Sequence, residues 1–90
     1  MTLHIVSQSP YQGSALEECL EIIAPDDEIL LIGEGVYACQ GPICDKLATH
    51  PLYALEPDLL ARGIKTTITG IDYQRFVELT VIHPHSISWF

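Results

Sequence analysis

The chain has 90 residues, the size of one small domain, and 48% of them are hydrophobic, so it can close a core of its own. Twelve carboxylates against four Lys and Arg give a formal net charge of −8, which opposes the phosphate neutralisation that nucleic-acid binding requires. We therefore expect no direct binding of DNA, RNA or anionic lipid, whereas a basic protein partner remains open.

No apolar run reaches the ~20 residues that span a bilayer, and the amino terminus lacks the basic and apolar regions of a signal peptide. A cytoplasmic location without membrane contact is expected. The cysteines Cys19, Cys39 and Cys44 are odd in number and lack the spacing of a zinc motif. Reduced thiols and no bound metal are therefore expected.

The first half of the chain predicts a strand, a helix and a second strand. Residues 3–6 form a short apolar run before the turn-rich stretch 7–13. Ser14 and Glu17 have the spacing of a helix capping box, and apolar residues then recur at helical spacing until Pro25. These residues are Leu16, Cys19, Leu20 and Ile23. The unbroken apolar run 29–32 predicts a central strand covered on both faces.

The second half repeats the alternation of strand and helix. A helical stretch from Gly33 is interrupted at Gly41-Pro42, and a third strand, 52–55, leads into a helix that Gly63 ends. We expect a weak fourth strand at 65–68, a helix capped by Asp72, and a last strand at 86–90. One face of the helix after Asp72 is predicted to carry Tyr73, Phe76, Val77 and Thr80.

These elements predict a single α/β domain over residues 1–90. Strand and helix alternate with short connections, which favours a small, doubly wound, mainly parallel sheet of about five strands with helices on both faces. The layering is then flavodoxin-like.

The segment 33–38 fits the G-x-G-x-x-G/A dinucleotide pattern and follows a predicted strand. However, the expected helix is broken at Gly41-Pro42, and Glu34 would place a negative charge beside a pyrophosphate. A chain of 90 residues also leaves no room for the second mononucleotide-binding half. We therefore expect a tight turn and no cofactor.

The same loop is a candidate interface or ligand loop, because partners gather at the carboxyl ends of parallel strands. Glu34, Gly35 and Tyr37 should converge there with the stretch 7–13. The alternative, that Tyr37 merely packs across the sheet edge, stays open.

Cys19 is the most tempting nucleophile, but its place on the apolar stripe and its acidic neighbours Glu18 and Glu21 favour the thiol over the thiolate. From the residues alone a buried structural cysteine is favoured. The histidines show no ligand spacing on a helix, so solvent-facing or capping roles are expected for them; they are His4, His50, His83 and His85.

Several blocks of the sequence occur together in the order and spacing of a known family. The blocks are 3–6 with Ser9-Pro10, 30–38, 53–63, 71–73 with 76–80, and Trp89. Over nearly its whole length the chain thereby resembles the TusB/DsrH family of sulfur-relay subunits.

The resemblance implies a DsrEFH-like subunit that joins TusC/DsrF-like and TusD/DsrE-like chains in a heterohexamer. The established persulfide carrier of that family is a cysteine of the TusD/DsrE-type chain, so this chain would not be a catalyst alone. Sulfur-carrier proteins would meet it through the complex, and without partners it would self-associate. The TusB branch acts in 2-thiolation of the tRNA wobble uridine, whereas the DsrH branch acts in dissimilatory sulfur oxidation.

Cys19 matches a cysteine position seen in DsrH-type members and missing from some TusB-type members. The resemblance thus makes Cys19 a candidate persulfide thiol. The run 76–84 looks more like the TusB branch, so the two ends of the chain leave the branch open. Cys39 replaces the alanine usual at its position and inherits no family role.

Overall fold

Strands and helices alternate along the whole chain in the computed structural model, which describes residues 1–90. The elements are β1 Thr2–Val6, α1 Ala15–Ile22, β2 Glu28–Leu31, a 3₁₀ helix Gly33–Cys39, α2 Ile43–Leu47, β3 Leu52–Leu55, α3 Glu56–Ala61, β4 Thr69–Ile71, α4 Tyr73–Ile82 and β5 His85–Trp89. The strands form one all-parallel sheet in the order β4-β3-β2-β1-β5. The predicted parallel α/β sheet is confirmed. No helix is both long and apolar enough to cross a membrane.

The two faces of the sheet are covered unequally. The larger core packs α1, the 3₁₀ helix, α2 and α3 against one face. On the other face the smaller core contains the α4 residue Leu79 and residues of strands β1 to β4. The helices lie on both faces as predicted, but one of the two layers consists of α4 alone.

The fourth strand lies at Thr69–Ile71, so the predicted strand at 65–68 is wrong. The backbone N–H of Ile68 donates to Oγ1 of Thr66 at 3.2 Å, and the N–H of Ile64 donates to the carbonyl of Leu59 at 3.0 Å. A side chain that takes a nearby backbone N–H competes with the sheet ladder. The β-branched residues of 65–68 are therefore held in a turn.

The first helix begins at the predicted place but without the predicted capping box. Ser14 makes no side-chain capping bond, and its hydroxyl donates to Glu18 instead, at 3.4 Å. Oε1 of Gln8 accepts the backbone N–H of Ala15 at 3.0 Å. A residue from the preceding loop thus satisfies one of the N–H groups that a helix start leaves unpaired.

Helix α4 buries only part of the predicted face. Asp72 caps it as expected, accepting the N–H of Arg75 at 2.8 Å. Leu79 is fully buried and Phe76 is partly buried, whereas Tyr73 and Val77 are 61% and 60% exposed. The choice between two apolar rows on this helix depends on where the sheet lies, which helical periodicity does not encode.

Gly35 brings the 3₁₀ helix into direct contact with the end of β1. A Cβ at this position would lie 2.1 Å from the carbonyl oxygen of Val6, a distance that no side chain tolerates. The same carbonyl accepts the N–H of Ile32 at 3.0 Å. Only glycine lets the backbone approach this closely.

Gly35→Ala should therefore lower the free energy of unfolding by about 3 kcal/mol, because its methyl group overlaps the Val6 carbonyl. Gly63 is the matched control: its φ is +63° and nothing lies within 4 Å of an added Cβ. Gly63→Ala should cost only ~1 kcal/mol, the strain of a left-handed backbone. Urea denaturation measures both losses. Equal losses would contradict the close contact at Gly35.

Candidate functional site

The loop after β2 is held against α3 by a small polar cluster. Oδ2 of Asp58 accepts the N–H of Gly33 at 2.8 Å. Arg62 lies between two carboxylates, 3.5 Å from Asp58 Oδ1 and 3.6 Å from Glu34 Oε1. The cluster fixes the start of the 3₁₀ helix while leaving the side chain of Glu34 56% exposed.

This geometry does not suit a phosphate. The N–H of Gly33 donates to Asp58, and the N–H of Gly35 donates to the carbonyl of Ile32 at 2.8 Å. A phosphate-binding turn needs backbone N–H groups that point toward the ligand. The glycine pattern serves here as a tight turn, with Gly33 at φ 51°.

The structure brings the predicted loop residues together but gives them different surroundings. Glu34 is exposed, Gly35 is buried, and Tyr37 is partly buried and packs against the larger core. The stretch 7–13 joins them, because the hydroxyl of Tyr11 donates to the carbonyl of Gln40 at 2.6 Å. Tyr37 thus contributes to the core, and Glu34 is the exposed group of the three.

The surface grooves lie elsewhere. One, of about 320 Å³, is lined by α3 and the residues leading into β4. The other, of about 380 Å³, lies between the end of α1 and the segment 49–50. Neither includes Glu34, Gly35 or Tyr37. The loop at the strand ends is therefore a surface and not a cleft.

The three cysteines differ in access and in acidity. Cys19 is 0% exposed in the larger core, where burial raises the pKa of its thiol to about 11 and the negative charge of Asp27 adds to the shift. Burial also raises the pKa of Cys39 to about 11; the charge of Cys44 adds to this, and a hydrogen bond with Thr66 opposes it. Cys44 is only partly buried. Cys19 and Cys39 are thus protonated thiols near neutral pH.

A buried polar network, which the sequence did not predict, links both ends of the chain. The indole N–H of Trp89 donates to His4 Nδ1 at 3.1 Å, so His4 Nε2 carries the ring proton and donates to Asp27 Oδ2 at 2.9 Å. Asp27 also accepts the N–H groups of Thr2 at 2.8 Å and Ala24 at 3.0 Å. A histidine at an inward-facing strand position is the signal that could have revealed it.

The network sets the charge on Asp27. Burial by itself raises the pKa of this carboxyl, but the hydrogen bonds from His4, Ala24 and Thr2 outweigh burial and bring the pKa down to about 2. Both ring nitrogens of His4 are occupied. His4 therefore has no lone pair left with which to deprotonate Cys19.

Asp27→Asn should lower the free energy of unfolding by about 2 kcal/mol near neutral pH, because hydrogen bonds to a charged acceptor are lost. A carboxyl whose pKa falls from 3.8 to about 2 on folding stabilises the chain above the higher value. That contribution disappears as the pH falls through the lower one. The acid side of the stability profile should therefore be flatter in the variant.

The matched control is Asp26→Asn, one residue away. Its side chain is 70% exposed and lies 3.7 Å from the amino terminus. An exposed pair of this kind contributes about 0.5 kcal/mol or less. Urea denaturation over a pH series measures both variants. If Asp27→Asn and the unsubstituted chain lost stability equally toward acid pH, the lowered pKa of Asp27 would be contradicted.

The fold and the site together define a class of small α/β proteins with a parallel sheet. In this class the loop that follows the central strand is held in place by side chains of the same chain. The family described as DsrH like protein matches residues 8–86. Protein TusB of Pectobacterium carotovorum subsp. carotovorum (strain PC1) is 39% identical, over 97% of this chain and 99% of the relative. Protein TusB of Escherichia coli (strain K12) is 36% identical over the same shares. The chain belongs to the DsrH-like family, and this membership supports a role as a sulfur-relay subunit.

Two solved structures share the fold. The crystal structure of the ychN protein from E. coli superposes with a TM-score of 0.77 at 18% identity, covering 98% of each chain. The solution NMR structure of protein Tm0979 from Thermotoga maritima gives a TM-score of 0.67 at 24% identity, covering 90% of this chain and 92% of that one.

Proposed function

We propose that the chain is a structural and interaction subunit of a cytoplasmic sulfur-relay hetero-oligomer, which supports 2-thiolation of the tRNA wobble uridine by persulfide transfer. Its partners are TusC/DsrF-like and TusD/DsrE-like chains. Near full-length similarity to proteins named TusB carries the proposal. The buried thiols agree with a supporting role, because a protonated thiol is a weak nucleophile.

Helix α4 offers the docking surface. Tyr73, Val77 and Val81 follow one another at four-residue spacing and are 61%, 60% and 76% exposed. We call this row the α4 stripe. The hydroxyl of Thr80 beside it donates to the carbonyl of Val77 at 2.7 Å, so that hydroxyl already has an acceptor within the helix. A continuous exposed apolar row on a helix is typical of a surface that packs against another chain.

The net charge of the chain favours binding to a different chain over binding to a second copy of itself. Each copy carries a formal charge of −8, so two copies repel, whereas a basic partner is attracted. The first turns of α1 present Glu17 and Glu18 on the exposed surface. This acidic surface would orient a basic sulfur carrier toward the complex.

Val81→Glu should weaken capture of the TusC- and TusD-like chains at least about tenfold, because it places a charge within the apolar α4 stripe. Leu60→Glu is the matched control: Leu60 is 74% exposed but lies on α3, which packs on the other face of the sheet. Co-expression followed by affinity capture measures both variants. We expect Leu60→Glu to bind normally, and the reverse result would exclude the α4 stripe.

The unsubstituted chain tests the function itself. It should self-associate when alone and form a defined complex when co-expressed with both homologues. A stable monomer that ignores both chains would overturn the proposed function.

The alternative role is a DsrH-type subunit of a complex in dissimilatory sulfur oxidation, with Cys19 as a sulfur-carrying thiol. The cysteine position shared with DsrH-type members supports it. Because Cys19 is 0% exposed, this role requires α1 to move when the complex assembles.

Alkylation with mass spectrometry tests this alternative. In the isolated chain Cys44 should react first, because raising the pKa of Cys19 from 9.0 to about 11 lowers its thiolate fraction roughly 100-fold. A sulfane-sulfur donor should leave no added mass on Cys19. In the assembled complex Cys19→Ser should leave transfer unchanged, with Cys44→Ser as the control. A persulfide on Cys19 together with lost transfer in Cys19→Ser would establish the alternative.

A further inference from the structure

The end of α4 contains a fully buried histidine. The side chain of His83 is 0% exposed, and its Nδ1 lies 2.7 Å from the carbonyl oxygen of Leu79. A carbonyl oxygen only accepts hydrogen bonds, so Nδ1 must carry a hydrogen and donate it. The hydrogen bond to the carbonyl of Leu79, in the last turns of the same helix, therefore fixes one ring proton of His83 on Nδ1.

The other ring nitrogen faces a carboxylate. Nε2 of His83 lies 3.4 Å from Oε2 of Glu28, which is 17% exposed. Neither Nε2 nor the buried Glu28 Oε1 has a hydrogen-bond partner. If Nε2 carried no proton, its buried lone pair would face a negatively charged oxygen and would have no hydrogen-bond donor. Such an arrangement leaves a buried acceptor nitrogen without a donor beside a carboxylate, at a cost in desolvation.

We propose that the folded chain holds a proton on Nε2 of His83, forming a buried imidazolium–carboxylate pair with Glu28 that fastens the end of α4 to the start of β2. The proton belongs on the ring because imidazole is a stronger base than a carboxylate. This inference stands on the geometry of one chain and does not depend on the proposed function.

The surrounding charged and titratable groups agree with this assignment. From β3, Tyr53 faces Glu28: burial raises the pKa of its hydroxyl, the hydrogen bond to Glu28 and the charge of Glu28 raise it further, and Arg75 lowers it. Tyr53 is therefore neutral. Arg75, on α4, lies 3.4 Å from Glu78. Asp27, immediately before β2, is already bonded to His4. His83 is thus the cation placed to pair with Glu28.

Glu28→Gln tests for the proton on Nε2 of His83 while keeping the size of the side chain at position 28. The glutamine amide can donate to Nε2 directly, so the pair is satisfied without an extra proton. Nitrogen-15 NMR of the histidine rings should show both nitrogens of His83 protonated in the unsubstituted chain and only Nδ1 protonated in Glu28→Gln.

An unprotonated Nε2 in the unsubstituted chain near neutral pH would overturn the proposal. Should Glu28→Gln not fold, the ring spectrum of the unsubstituted chain decides the question by itself. Partner capture by the unsubstituted chain is a separate measurement, so failure of the proposed function and failure of this inference remain distinguishable.

Discussion

The hydrogen bonds of His4 join the two ends of the chain on the side of the sheet where β1 lies next to the edge strand β5. Strand β1 lies between β2 and β5, and His4 accepts from Trp89 on one side while donating to Asp27 on the other. Because β5 must reach this position from β4 at the opposite edge, the last crossover passes over the whole sheet. Helix α4 therefore lies alone on its face, and the uneven layering of the fold follows from that placement.

The uneven layers separate the two properties that matter for function. The larger core encloses Cys19 and Cys39 and keeps both as thiols, since burial disfavours the charged form. On the other face, α4 is the only helix, and its outer side is exposed, with apolar residues where a solvated helix would carry charges.

Two buried histidines in this chain differ through their partners alone. The indole of Trp89 can only donate, so it requires a bare nitrogen on His4, and that ring is neutral. His83 instead faces an acceptor at each nitrogen, Leu79 on one side and Glu28 on the other. Burial treats the two rings alike. The donor or acceptor character of the groups around each ring decides its charge.

Hydrophobic periodicity and turn residues in the sequence were sufficient for the alternating elements, the parallel sheet and the apolar placement of Cys19, because these depend on local spacing. The order and spacing of the sequence blocks also identified the family. Local spacing did not place β4, where Thr66 draws the backbone into a turn, nor did it select the buried row of α4. The burial of His4 and His83 likewise depended on Asp27, Trp89 and Glu28, which lie far from them in sequence or on other strands. Only the tertiary structure decided these features, since the sheet selects which of two equivalent local faces is covered and which distant polar groups meet.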